Sequence, residues 1–169
     1  MIEVVVTRLG QDASSQAYVV VLQEKGGERA LPIWIGRPEA EAISAHLNAV
    51  PRERPMTHDL AQHIITGLGA MLRRVQVTRV HEGTFYAELH LHRAGGPVIV
   101  DARPSDAIAL AIRLDAPIFV AEALFLDDGD EVDGRGDAPA GGTDDPLSAD
   151  ELKRKIAQLR PEDFGRFSL

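Results

Sequence analysis

Short β-branched runs at residues 2–7, 17–23 and 30–35 read as three strands, with Gly26-Gly27 turning the second back onto the third. After Gly36-Arg37-Pro38 the apolar period lengthens: Ala40, Ile43, Leu47 and Val50 share one helical face, and Glu39 and His46 share another. Pro51 stops that helix. A second helix opens at Arg54-Pro55-Met56-Thr57-His58-Asp59, with Thr57 expected as its N-cap and Asp59 favouring its positive end. Leu60, Ile64, Leu68 and Leu72 form the apolar stripe expected to bury it, with Gly67 and Gly69 marking its end.

Three further strands follow. The run 84–92 alternates cleanly, with Phe85, Ala87, Leu89 and Leu91 on one face and Tyr86, Glu88, His90 and His92 on the other. Val98-Ile99-Val100 then leads into a helix expected to start at an N-cap Ser105. Every residue from Ala107 to Ile112 is apolar, so this is the central, buried helix. The charges at its entrance, Asp101, Arg103 and Asp106, must be paired or put to use, because unpaired buried charge is costly. A last apolar segment spans residues 117–120.

The pattern predicts an α+β fold: two three-stranded meanders with three packed helices, plus a C-terminal helix after a flexible acidic linker. The divisions are a domain over residues 1–131, a linker over 132–147 and a helix and tail over 148–169. Ser148 and Glu151 form a capping box there, ahead of an apolar stripe of Leu152, Ile156 and Leu159.

Charge sharpens this division. The chain carries a net charge of −8, but residues 1–126 hold 14 acids against 12 bases, whereas residues 127–169 hold 12 against 6. Of the first 12 bases 11 are arginine, a residue suited to fixed, bidentate contacts with carboxylate or phosphate. No strongly basic stripe is present, which argues against a dedicated high-affinity nucleic-acid binder. The absence of cysteine excludes disulfides and thiolate chemistry. No apolar run is long enough to span a bilayer, so a soluble, cytoplasmic protein with no membrane partner is expected.

The candidate chemistry gathers at helix starts. Arg37, Arg54 and Arg103 each precede a proline there, and a helix N-terminus with an arginine beside it favours an anion. The plainer alternative is that they pair with Glu39, Asp59, Asp101 and Asp106 and lock the corners of the fold. Those four acids are also the candidate ligands for Mg²⁺ or Mn²⁺, which prefer carboxylate oxygen. Asp59 and His63 lie four apart on one helix face, a weak metal-ligand spacing. No glycine-rich phosphate loop, nucleophile elbow or zinc signature occurs.

Three blocks, Leu31-Pro32-Ile33-Trp34-Ile35-Gly36, Arg54-Pro55-Met56-Thr57-His58-Asp59-Leu60 and Arg103-Pro104-Ser105-Asp106-Ala107-Ile108-Ala109-Leu110-Ala111, resemble the bifunctional nuclease domain family. Phe85-Tyr86-Ala87 lies between the second and third, and the resemblance runs from about Met1 to Glu131. It implies an α+β domain with DNase and RNase activity, and no established catalytic residue. The resulting expectation is a metal-assisted phosphodiesterase acting on DNA or RNA. His58, Asp59 and Asp106 are the catalytic candidates, and Arg37, Arg54 and Arg103 bind substrate. Glu39, Asp59, Asp101 and Asp106 are the metal candidates. The alternative is a non-catalytic module that binds an anionic ligand or a partner protein through the helix-end arginines. A homo-oligomer is expected, with Trp34, Phe85 and Phe119 as residues whose strand edges a second copy would close.

Overall fold

A computed structural model describes residues 1–11 and 17–125. Strands β1 (Ile2–Gln11), β2 (Tyr18–Glu24) and β3 (Ala30–Ile35) come first, then helices α1 (Arg37–Leu47) and α2 (Thr57–Gly67). Strands β4 (Met71–His81), β5 (Thr84–Arg93) and β6 (Gly96–Ala102) follow, then α3 (Pro104–Arg113), β7 (Ile118–Val120) and a 3₁₀ turn, Glu122–Phe125. The expected linker at 132–147 and the helix and tail at 148–169 lie outside the described residues.

The strands form one curled seven-stranded sheet in the order β3-β2-β1-β7-β4-β5-β6, rather than two separate units. The joint is the segment left as a bare apolar run in the sequence. β7 pairs antiparallel with β1 and parallel with β4, the parallel pairing requiring the crossover that β5, β6 and α3 supply. Phe119 therefore lies in the middle of the sheet and not at an edge.

One sheet face carries the helices. Val20, Leu22, Val75, Val77, Ala87 and Leu89 point into it and pack with Ile43 of α1 and with Ala107, Ile108 and Ala111 of α3. Helix α3 is buried from Ala107 through Ala111, as an unbroken apolar run demands. It starts two residues earlier than expected: Arg103 is the N-cap, Pro104 occupies the first turn and Ser105 is buried inside the helix. Likewise Met56, not Thr57, precedes α2, and its backbone N–H donates to Asp59 Oδ2 at 2.9 Å.

Helix α2 corrects the expected stripe. It contributes no buried residue, and Leu60, Ile64 and Leu68 face outward with Met56. The helix touches the core through Ala61 and Ile65 instead. The reason is polar: Asp59 bonds Arg113, and Gln62 donates to the Arg113 carbonyl at 3.1 Å. A buried arginine outweighs a stripe that has no second wall to pack against.

Two irregularities bend β4. Its register against β5 slips between Leu72 and Arg74 and again between Val77 and Arg79. Each β-bulge sets two residues of β4 against one of β5 and re-aims a side chain.

Candidate active site

The starts of all three helices are tied together by side chains. Glu39 comes from the first turn of α1, His58 from that of α2, and Arg103 and Asp106 from the entrance of α3. His58 Nε2 lies 2.9 Å from Asp106 Oδ1, and Arg103 Nε donates to Asp106 Oδ2 at 2.8 Å. A second arm of the Arg103 guanidinium reaches Glu39 Oε1 at 2.8 Å. The order Glu39–Arg103–Asp106–His58 thus alternates acid and base across three helices.

The electrostatics follow from these contacts. The His58 bond first, and then Arg103, hold the Asp106 carboxyl down to about 2 against its partial burial. Arg103 is held more firmly protonated by Asp106 and Glu39. An ionised carboxylate only accepts, so His58 Nε2 carries the donated hydrogen and Nδ1 is left as the basic nitrogen. No described residue bonds Nδ1. The ring is mostly enclosed, with 14% of the side chain accessible, while Arg103 is half exposed and retains N–H groups for a further acceptor.

Other sequence candidates lie elsewhere. Arg37 pairs with Glu41 at 2.7 Å on the outside of α1. Arg54 is exposed ahead of α2 and forms no ion pair with a described residue. Asp59 bonds Arg113 Nε at 2.7 Å, which together with the Met56 N–H lowers its pKa. Its neighbour on that helix, His63, is exposed. Asp101 sits opposite Glu88 in the β5–β6 ladder, and strand alternation turns it to the face away from the helices. The four acids are therefore not brought together, and among the described residues no group of three or more His, Cys, Asp or Glu side chains is placed to hold a metal ion.

Beside Arg103 a cavity of about 90 Å³ is lined by Trp34, Phe85, Glu39 and the buried Ser105. Trp34 and Phe85, expected from the sequence at strand edges that a second copy would close, thus border the site. Arg113 was also hidden: a single arginine ending an all-apolar helix was its only signal. It is 8% exposed, and its guanidinium donates to Asp59, to the Ala109 carbonyl and to the Ala42 carbonyl of α1.

The fold and this array define a mixed α/β domain with an acid–base and arginine cluster at converging helix starts. The bifunctional nuclease domain matches residues 20–133, and the chain belongs to that family. It is 38% identical over 146 residues to an uncharacterized protein of Mycobacterium tuberculosis, covering 86% of this chain and 87% of that one. Over 146 residues it is also 32% identical to bifunctional nuclease 1 of Arabidopsis thaliana, covering 83% of this chain and 45% of the plant protein. With bifunctional nuclease 2 of Oryza sativa subsp. japonica it shares 29% identity over 160 residues, covering 91% and 49%. The chain spans less than half the length of these two plant relatives.

Proposed function

We propose that the protein hydrolyses phosphodiester bonds in DNA and RNA. Family membership supports the reaction class, and the observation that carries the reading is the His58–Asp106–Arg103 array. Asp106 fixes the imidazole through Nε2, leaving Nδ1 to take a proton from an attacking water. The water oxygen bonds to phosphorus, the ester P–O bond breaks, the departing oxygen takes a proton from solvent, and His58 returns the proton it accepted to solvent. Arg103 and the N-terminal end of α3 stabilise the added negative charge on the phosphoryl oxygens. Asp59 serves this site through Arg113, by anchoring the turn that presents His58.

The donor set does not fit a resident Mg²⁺ or Mn²⁺. Glu39 and Asp106 are both engaged by Arg103, and Asp59 and Asp101 point elsewhere.

The test uses purified full-length chain on labelled DNA and RNA, with and without chelator. His58→Ala is expected to lower cleavage at least about a hundredfold, in the range of a lost general base. Unchanged cleavage in His58→Ala would overturn the assignment. A protein that binds anions but cleaves nothing would instead favour the rival reading, a binding module whose Arg103 is its anion contact.

A further inference from the structure

The sheet face away from the helices carries a second concavity, about 330 Å³ in volume, that the active-site reading does not use. It runs across β4, β5 and β6 and is bordered by Arg73, Arg74, His90, His92, Pro97 and Ile99. Its size falls at the lower end of the roughly 300–1,000 Å³ typical of ligand sites. Strict alternation along β4 would send Arg73 and Arg74 to opposite faces. The first bulge prevents this. Leu72 pairs with Leu91 and Arg74 with His90, so Arg73 has no partner of its own, and both arginines border the same groove.

Neither guanidinium holds a carboxylate of a described residue. Among the described residues Arg73 reaches the Met71 sulfur at 3.3 Å, and Arg74 reaches His90 Nδ1 at 3.4 Å; neither forms an ion pair. Arg29, Arg37, Arg103 and Arg113, by contrast, each hold a carboxylate within 3 Å. His90 donates in turn to Glu88 from Nε2, at 3.0 Å, so its Nδ1 accepts from Arg74 and steadies that side chain. Across the groove Ile99 is 60% exposed and, with Pro97, offers an apolar wall. Two adjacent arginines with no ion pair among the described residues, beside an apolar wall, complement a ligand with phosphates on one side and apolar surface on the other.

We propose that this groove is an exosite for a nucleic-acid strand, with backbone phosphates on Arg73 and Arg74 and sugar and base edges against Pro97 and Ile99. The choice of a nucleic acid rests on the phosphodiesterase reading; the groove itself is separate from His58, Asp106 and Arg103, which lie on the helix side of the sheet.

Fluorescence anisotropy of a labelled oligonucleotide tests it, in a His58→Ala background that suppresses cleavage. Arg73→Ala/Arg74→Ala is expected to weaken binding at least about tenfold and to reduce the slope of log K against log salt by about 1.4, or 0.7 per lost single-strand phosphate contact. Arg73→Lys/Arg74→Lys is expected to retain most of both, since it keeps the charges. In the otherwise native chain the double alanine variant should leave hydrolysis of bis(p-nitrophenyl) phosphate, which lacks a strand to occupy the groove, unchanged. Binding within twofold of the parent, with an unchanged salt slope, would overturn the exosite while leaving the hydrolase intact. Tenfold weaker oligonucleotide binding in a chain that hydrolyses neither substrate would uphold the groove and remove the catalytic reading.

Discussion

Arg113, at the last turn of α3, donates from Nε to the Asp59 carboxylate at the first turn of α2, 2.7 Å away. Its remaining arms reach the carbonyls of Ala109 and Ala42, so one side chain binds all three helices. Replacing it with alanine leaves Asp59 without its cation and two carbonyls without their donor. Arg113→Ala is expected to cost about 3–5 kcal/mol in urea unfolding. Asp59→Asn keeps a hydrogen-bonding partner and should cost less, about 1–3 kcal/mol. Equal and small losses in both would show that the pair does not hold the helices.

Acid should reveal Asp106. Its pKa is about 2, against 3.8 for the free group, so the folded state favours the carboxylate. Stability from this source is complete above the unfolded pKa and is lost as pH falls from about 5 toward 2, amounting to roughly 2 kcal/mol. Asp59, also lowered, acts in the same direction. Melting temperature followed from pH 6 to pH 2 should fall less steeply in Asp106→Asn than in the parent. Parallel acid limbs would contradict the depressed pKa.

Arg103 bridges Asp106 and Glu39 with two different nitrogens while about half exposed. A lysine reaches one acid at a time and cannot grip a phosphate in two places. Arg103→Lys should therefore lower kcat/KM for a diester about 10- to 100-fold while changing stability by under about 1 kcal/mol. A loss of stability without a loss of rate would make Arg103 a corner lock.

Met56, Leu60, Ile64 and Leu68 recur every fourth residue and are all more than half exposed. An uncovered apolar row of this kind is expected to bring copies of the chain together. Ile64→Glu should lower the mass found by light scattering at micromolar concentration and shift the unfolding free energy by no more than about 0.5 kcal/mol. Equal masses for the two proteins would remove self-association through this row.

Much of the fold was legible because its cause is local. Alternation in β5 and the apolar run in α3 depend on neighbours in the chain; β5 forms where the pattern puts it, and α3 does so apart from a start two residues early. The site was legible only as a set of helix starts. Which ones meet depends on packing, and Arg103 meets Glu39 while Arg37 turns outward to Glu41. Asp101 misled by nearness: two residues before Arg103 in sequence, it still belongs to β6 and pairs with Glu88 on the sheet face away from the helices, whereas Arg103 lies past the strand's end as the N-cap of α3. The orientation of α2 was hidden because its partner, Arg113, is more than 50 residues away. The bulges of β4 carry no glycine or proline to announce them, so the pairing of Arg73 and Arg74 on one groove was invisible too.

The three residues of β7 also set the order of events during synthesis. Among the described residues they alone bridge β1 and β4 in the sheet, and they emerge from the ribosome after every other described strand. Until residue 120 is available, the first half of the sheet offers the bare edge of β1 and the second half that of β4. Open edges of this sort pair readily with other chains. Closure joins Ile2 to Val120, nearly the whole described chain apart, a long-range contact of the kind that slows folding. The nascent protein is thus most exposed to aggregation immediately before the shortest of its described strands arrives.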